Sequence, residues 1–422
     1  MKLRVLGTEL VYLTPVVLTL WIAAFFLGRH NKYSAFLDEE WYGKKVAREH
    51  EQQRTSALRA FEDLKQRVPA DKTPLFDKGT DLCVAILSMS RRGSFQHRYL
   101  TRLVMSLVTR MSWNREDISI SILNMETNPA DHTEANELGK YFRVVVPKRD
   151  TSGIPQPEEQ HSRNYYIWKE TVDYMAALET VKHCRHSLVL EDDALAALNW
   201  DEKVEEVIKE LKDKSKEVLY TKLFFSYTFL GWGLEWQHFV TLGALAIATA
   251  LLISFLVGTY ISRIKGEPKN SYELCEGQPE RSFVSPRMLG PVSSILLIAN
   301  FVAFYHAIGR QHLLMPSKGL HHFDLGFGMV AVLYQQSAIS SLIDFYRNYL
   351  KTTPPHLLKP KDLSPNIFKT ESGLKEFVFN PSIFQHCGVH SSLKFKLFDT
   401  APRDFTLAIN FEDDEREIKF EK

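Results

Sequence analysis

Three long apolar stretches without a formal charge constrain this chain more than any other feature. Residues 10–28 (LVYLTPVVLTLWIAAFFLG), 239–261 and 289–308 contain no Asp, Glu, Lys or Arg. Each is about 20 residues long, enough for a helix to cross the hydrocarbon core of a bilayer. No small-residue cleavage site follows the first, so it reads as a retained anchor rather than a cleaved signal peptide. Between the second and third lie Arg263, Lys265, Lys269, Arg281 and Arg287, the basic bias of a cytosolic loop. Lys2 and Arg4 before the first stretch agree with that orientation, whereas Arg29 and Lys32 after it blur it. A hairpin returns the chain to the side it left, so the two long polar segments are expected to share one compartment, a secretory lumen. The expected organisation is a cytosolic tail (1–9), an anchor (10–28), a lumenal stem (29–80), a first domain segment (81–238), a helix (239–261), a cytosolic loop (262–288), a helix (289–308) and a second domain segment (309–422).

Other classes are excluded on simple grounds. A formal net charge of +1 over 422 residues supplies no basic field for nucleic acid. Within the three stretches only His306 is ionisable, which leaves a channel or transporter without a polar pathway. Four scattered cysteines with no C-x-x-C pair argue against a zinc ribbon or redox dithiol. Pairing among Cys83, Cys184 and Cys387 is left open.

Outside the membrane stretches the pattern is α/β. Residues 38–68 are polar and helix-prone, a stem. LCVAILS (82–88), ISISILN (118–124), YFRVVVP (141–147) and SLVL (187–190) are short apolar runs suited to buried strands. Between them, Leu100, Leu103, Val104, Leu107, Val108 and Met111 fall on one helical face, and 167–181 is helical as well. Strands alternating with helices predict a mostly parallel sheet covered on both faces.

Glu191-Asp192-Asp193 directly follows the last of these runs. Charge on a buried strand is costly, whereas at the carboxyl end of a strand it faces the cleft where open α/β sheets bind ligands. Adjacent carboxylates there can hold a divalent metal that also binds a diphosphate; the alternative is a solvated loop. Glu412-Asp413-Asp414 repeats the triplet among further charges and reads as surface.

Three separated segments carry a family resemblance: the triplet at 191–193, LIDFYRNYL (342–350) and FQHCGVHSS (384–392). Together they resemble the N-acetylglucosaminyltransferase IV family of GT-A glycosyltransferases. A membrane hairpin inside the catalytic domain departs from those single-anchor enzymes and resembles the related family of GPI N-acetylgalactosamine (GPI-GalNAc) transferases. The resemblance implies a GT-A fold interrupted by the hairpin, and a multi-pass Golgi enzyme with a lumenal catalytic domain. It implies transfer of GalNAc from UDP-GalNAc to the core mannose of a GPI glycan, inverting and dependent on Mn2+ or another divalent cation. Carried over by motif, Asp193 and His386 would hold the metal, with His390 in reserve. Asp192 would meet the donor ribose and Glu191 the donor sugar, and Ser88 and Glu126 would lie beside the nucleotide. Asp173-Tyr174 also matches, with helix packing as the competing role. Asp344 would be the general base, with Asp324 as the alternative. The aromatic run 223–236 would line the acceptor side, or else Trp232 and Trp236 would anchor at the membrane interface. An N-glycan GlcNAc transferase and a catalytically dead membrane adaptor are the competing expectations.

The hairpin is tested by epitope tags in the 262–288 loop and at the C-terminus. After selective permeabilisation of the plasma membrane the loop tag should be accessible and the terminal tag protected. Equal protection of both would refute the arrangement.

Overall fold

The computed structural model describes residues 2–29, 34–36, 38–69, 74–77, 79–90, 98–112, 116–159, 162–214, 216–225, 236–266, 291–308, 318–322 and 328–388. Asp324, His390, Trp232, the triplet at 412–414 and nearly all of the 262–288 loop lie outside them. Along the chain run α1 (Lys2–Gly28), α2 (Glu39–Arg67), β1 (Leu82–Ser88), α3 (Tyr99–Thr109), β2 (Ile118–Asn124), α4 (Thr133–Leu138) and β3 (Arg143–Val145). Next come α5 (Arg163–Val181), β4 (His186–Glu191), β5 (Ala194–Ala196), α6 (Trp200–Leu211), β6 (Val218–Lys222), α7 (Trp236–Gly266) and α8 (Pro291–Ile308). The last elements are β7 (Gly319–His322), β8 (Ala331–Gln335), α9 (Gln336–Thr352), α10 (Pro365–Ser372), β9 (Lys375–Asn380) and β10 (Phe384–His386). They divide into two units.

The first unit, residues 1–38 and 230–315, contains α1, α7 and α8. Each holds a window long and apolar enough to cross a membrane: Val11–Gly28, Phe239–Ile261 and Pro291–Ile308. Their shared seam is Leu13, Ala246, Ala250, Leu297 and Phe301, while Phe26, Leu252, Leu256 and Ile295 face outward. Ala246 and Ala250, one turn apart, let neighbouring backbones approach closely, as helix packing in lipid requires. Polar contacts cross the seam as well: the Trp21 indole donates to Asn300 Oδ1 at 3.2 Å, and the Thr249 and Tyr305 hydroxyls lie 2.6 Å apart.

The second unit, 39–229 and 316–422, is built on an eight-stranded sheet in the order β3-β2-β1-β4-β8-β6-β9-β7. β3, β2, β1 and β4 are mutually parallel, and so are β6 and β9. β8 runs antiparallel to both β4 and β6, and β7 antiparallel to β9. The sheet is therefore mixed, more parallel than antiparallel. Continuous apolar runs such as LCVAILS suit central strands because both of their faces are covered. Leu82, Val84 and Ile86 point toward α2, α3 and α6, where Phe61, Leu103, Leu107, Trp200 and Val204 close one core. Cys83 and Ala85 point the other way, toward Ala177 and Val181 of α5. Val189, Val332 and Tyr334 continue that second layer under α5 and α9. Strand alternation thus sorts the core into two halves, with helices on both faces.

One covalent tie joins this framework. Cys83 of β1 and Cys184, just before β4, form a disulfide across 101 residues with Cα atoms 6.0 Å apart, and Cys387 is buried outside that disulfide. Closing so long a loop restricts the unfolded chain and contributes about 2–5 kcal/mol. Replacing both cysteines by serine should lower the melting midpoint in detergent by roughly 5–15 °C. An unchanged midpoint in differential scanning fluorimetry would show that the bond does not form.

Candidate active site

β1, β2 and β4 are parallel and in register, so Ser88, Asn124 and Glu191 arrive together at one edge of the sheet. Glu126 and Asp192 lie just beyond. Ser88 Oγ donates to Asp192 Oδ2 at 2.8 Å, and the Ser90 N–H donates to Glu126 Oε1 at 3.0 Å. Behind Ser88 stands His132, absent from the sequence expectations. Its side chain caps α4: Nδ1 accepts the Ala135 N–H at 3.4 Å, which assigns the ring proton to Nε2, 2.7 Å from Ser88 Oγ. Burial lowers the His132 pKa against the opposing pull of Glu126, keeping the ring neutral. A neutral relay, His132 to Ser88 to Asp192, therefore fixes one carboxylate of the triplet.

Asp193 is positioned by different means. β5 begins one residue later and pairs antiparallel with β10, setting Ala194 opposite His386 and Ala196 opposite Phe384. The Cys387 N–H donates to the Asp193 carbonyl at 2.6 Å. This short ladder brings His386 Nε2 to 3.2 Å from Asp193 Oδ2 although the residues are 193 apart in sequence. Glu191 completes a group whose possible ligand atoms all lie within 4.8 Å of one another. Gly388 matters here because a β-carbon at this position would overlap the Asp193 carboxylate and lie 3.0 Å from His386 Nε2. Two carboxylates and one imidazole around a space kept open by a glycine fit a divalent cation of the Mn2+ type. Asp192 and Asp193 are only 6% and 4% exposed, which disfavours the solvated-loop alternative for the triplet.

Glu191 has its own partner. Lys361 Nζ donates to Glu191 Oε1 at 2.7 Å and lies 3.0 Å from Glu170 Oε1. Burial opposes the charge on Lys361, yet the attraction of Glu170 and Glu191 outweighs it and lifts its pKa well above the usual lysine value. The next residue, Asp362, is half-buried and accepts a hydrogen bond from the Gly328 N–H. Gly328 leads into β8 two residues before Val330, whose carbonyl accepts the Glu191 N–H, so Asp362 sits at the same strand mouth. Burial raises its pKa against the offsetting charge of Lys361. Lys361-Asp362 lies in an irregular loop, KPKDL, with no periodicity to mark it.

Asp344 requires a correction: it is not brought to this site. Because β8 is antiparallel to β4, Gln335 pairs with His186 at the opposite end of the strand, and α9 starts from there. The Asp344 side chain is 77% exposed and lies 3.5 Å from Arg347, which in turn binds Glu179 near the far end of α5. Asp173 is a buried ionic hub, 2.5 Å from both Arg149 and Lys169, and these two cations also donate to the Met125 carbonyl beside Glu126. Tyr174 is buried with its hydroxyl 2.7 Å from that of Tyr334, a packing contact. Trp236, at the start of α7, is 70% exposed.

Residues 82–385 match the model of the GPI-N-acetylgalactosamine transferase PGAP4 family. This chain belongs to that family. The matched span begins at β1 and ends one residue short of His386, so it includes the strand mouth, the relay and most of the β5–β10 ladder. No match is found among curated proteins. Among solved structures, the apo form of mouse xyloside xylosyltransferase 1 aligns with 11% identity and a TM-score of 0.34, over 71% of this chain and 85% of that one.

Gly388→Ala tests the cation site directly, since the nearest atoms an added β-carbon meets belong to the Asp193 and His386 side chains. Mn2+ affinity measured by calorimetry should fall about 10–100-fold, the usual effect of disturbing the support of a metal ligand, with the melting midpoint little changed. Unaltered Mn2+ binding would remove Asp193 and His386 as a ligand pair.

Proposed function

We propose that this protein is a metal-dependent GT-A glycosyltransferase of the Golgi membrane that transfers GalNAc from UDP-GalNAc to the core mannose of a GPI anchor, with inversion. The observation that carries the chemistry is the pairing of Asp193 with His386; the family match carries the substrate class. The Cys83–Cys184 disulfide supports a lumenal catalytic unit, because such bonds persist in oxidising compartments. Three membrane-length helices support an enzyme held at the bilayer, where a GPI glycan also resides.

In this reading Asp193 and His386 hold a divalent cation, with Glu191 at its border. When bound, the cation neutralises the donor diphosphate and stabilises the departing nucleotide. Asp192, oriented by Ser88 and the neutral His132, accepts hydrogen bonds from the donor ribose. Glu126 lies on the nucleotide side, where Arg149 and Lys169 add positive charge. Lys361, donating to Glu191 Oε1, holds that carboxylate toward the donor sugar.

The proton of the attacking mannose hydroxyl needs a carboxylate at the strand mouth, and Asp362 is better placed for it than Asp344. Its raised pKa, caused by burial, makes it a stronger base than an ordinary aspartate. Direct displacement at the anomeric carbon with this base leaves the new bond inverted.

Purified full-length protein with Mn2+ should consume UDP-GalNAc in preference to UDP-GlcNAc, and cells lacking it should lose the HexNAc branch of their GPI glycans. Asp362→Asn should lower transfer by about 10²–10⁴-fold, the range for loss of a general base, with UDP binding retained. Asp344→Asn should transfer normally. Reversal of these two outcomes would return the base to α9, and preference for UDP-GlcNAc would overturn the donor assignment.

A further inference from the structure

Between α2 and α3, next to Leu195 of β5, lies a cavity of about 430 Å³. Its floor is Leu195, two residues beyond Asp193, and its walls carry Arg59, Asp63 and Arg67 from α2 with Arg102 and Arg110 from α3 and its end. Four guanidiniums face one carboxylate there. Arg59, Asp63 and Arg67 are spaced by four and form one row along α2, exposed at the rim, while Arg102 lies beneath them at 3% exposure.

Arg102 is the anomaly. It is the one charged residue of α3, a helix otherwise made of apolar and hydroxyl side chains. Its Nη2 donates to Gln53 Oε1 at 2.8 Å, yet its Nε has no hydrogen-bond partner and no carboxylate pairs with it among the described residues. Glu51, which feels its charge, is exposed and bonded to Arg54. A buried cation without a counter-charge is strongly unfavourable. Arg110 is partly engaged, its Nη1 donating to the Ala196 carbonyl at 2.8 Å.

We infer that this cavity binds a phosphate group. Converging guanidiniums present parallel N–H donors that match phosphate oxygens bidentately, and a buried arginine is a common means of holding one. The cavity is far too polar and positive to hold an apolar ligand. None of Glu191, Asp193 and His386 lines it, so it is distinct from the cation group of the donor cleft. The phosphate can come from a soluble compound or from a lipid headgroup, and the chemistry of recognition is the same.

The test uses the full-length protein in an uncharged detergent, with inorganic phosphate titrated against chloride at constant ionic strength and melting followed by fluorimetry. A ligand that binds the folded state raises the midpoint in a saturable way. Arg102→Gln should abolish the shift, and Arg59→Gln combined with Arg67→Gln should weaken apparent affinity about tenfold or more. The rim pair is exposed, so it remains informative if the buried substitution does not fold. A second arm uses nanodiscs of phosphatidylcholine with and without phosphatidylinositol. A shift that requires phosphatidylinositol and the same arginines identifies a lipid headgroup; a shift with inorganic phosphate identifies a soluble source. Absence of a saturable effect in both arms overturns the inference. So does phosphate binding that is indifferent to Arg59 and Arg67, which would belong to the donor cleft.

Discussion

The site depends on three pairs of residues between β5 and β10. The parallel strands deliver acidic residues to the sheet edge, but they cannot deliver a nitrogen ligand. The ladder does so by laying Phe384–His386 along Ala194–Ala196, fixing the imidazole relative to the carboxylate through backbone geometry rather than a flexible side-chain contact. The same ladder is held from behind by α3. Ser106 Oγ accepts the Ala196 N–H at 3.0 Å, and the Trp200 indole donates to the Leu107 carbonyl at 2.9 Å. A strand of only three residues is thus anchored on both sides, as a ligand platform must be to hold its geometry.

Three consecutive carboxylates would ordinarily repel one another enough to protonate some of them. Here each is given a different environment. Glu191 is matched by a buried lysine, Asp192 by a hydroxyl donor backed by a neutral histidine, and Asp193 by an imidazole in a space suited to a cation. Their directions diverge because β4 ends at Glu191 and β5 starts at Ala194, so the two aspartates occupy the turn between strands. The triplet behaves as three separate functional groups rather than one acidic patch.

Much of the parallel half was legible from the chain. The strand-like runs 82–88 and 118–124 coincide with β1 and β2 to the residue, because central strands covered on both faces are rich in apolar residues. The run 187–190 falls inside β4, which extends one residue further at each end and so takes in Glu191 as its last residue. What could not be read was anything set by pairing partners far apart. β8 is another apolar run, and nothing local states that it enters antiparallel between β4 and β6. That single reversal decides which end of the sheet α9 starts from, and hence that Asp344 faces Arg347 and solvent. Lys361 and Asp362 were invisible for a related reason: their importance comes from burial against Glu170, Glu191 and Gly328, which an irregular loop sequence does not encode locally. His132 is an intermediate case, since a polar residue before a short helix signals a cap but not the hydroxyl on its other nitrogen.

The antiparallel entry of β8 also has a consequence for biogenesis. The hydrogen-bonding edge of β4 that β8 covers has no partner until residues 331–335 have been made, and α7 and α8 lie between them in the sequence. At about 5–20 residues per second, the roughly 140 residues from the end of β4 to β8 take several seconds to half a minute to translate. During that time a four-stranded parallel sheet with an open apolar edge waits while two membrane-length helices are synthesised. A bare strand edge is a template for mispairing. Completion of the sheet is therefore paced by the synthesis of α7 and α8, and a delay there would cost correctly folded protein even where every residue of the sheet is intact.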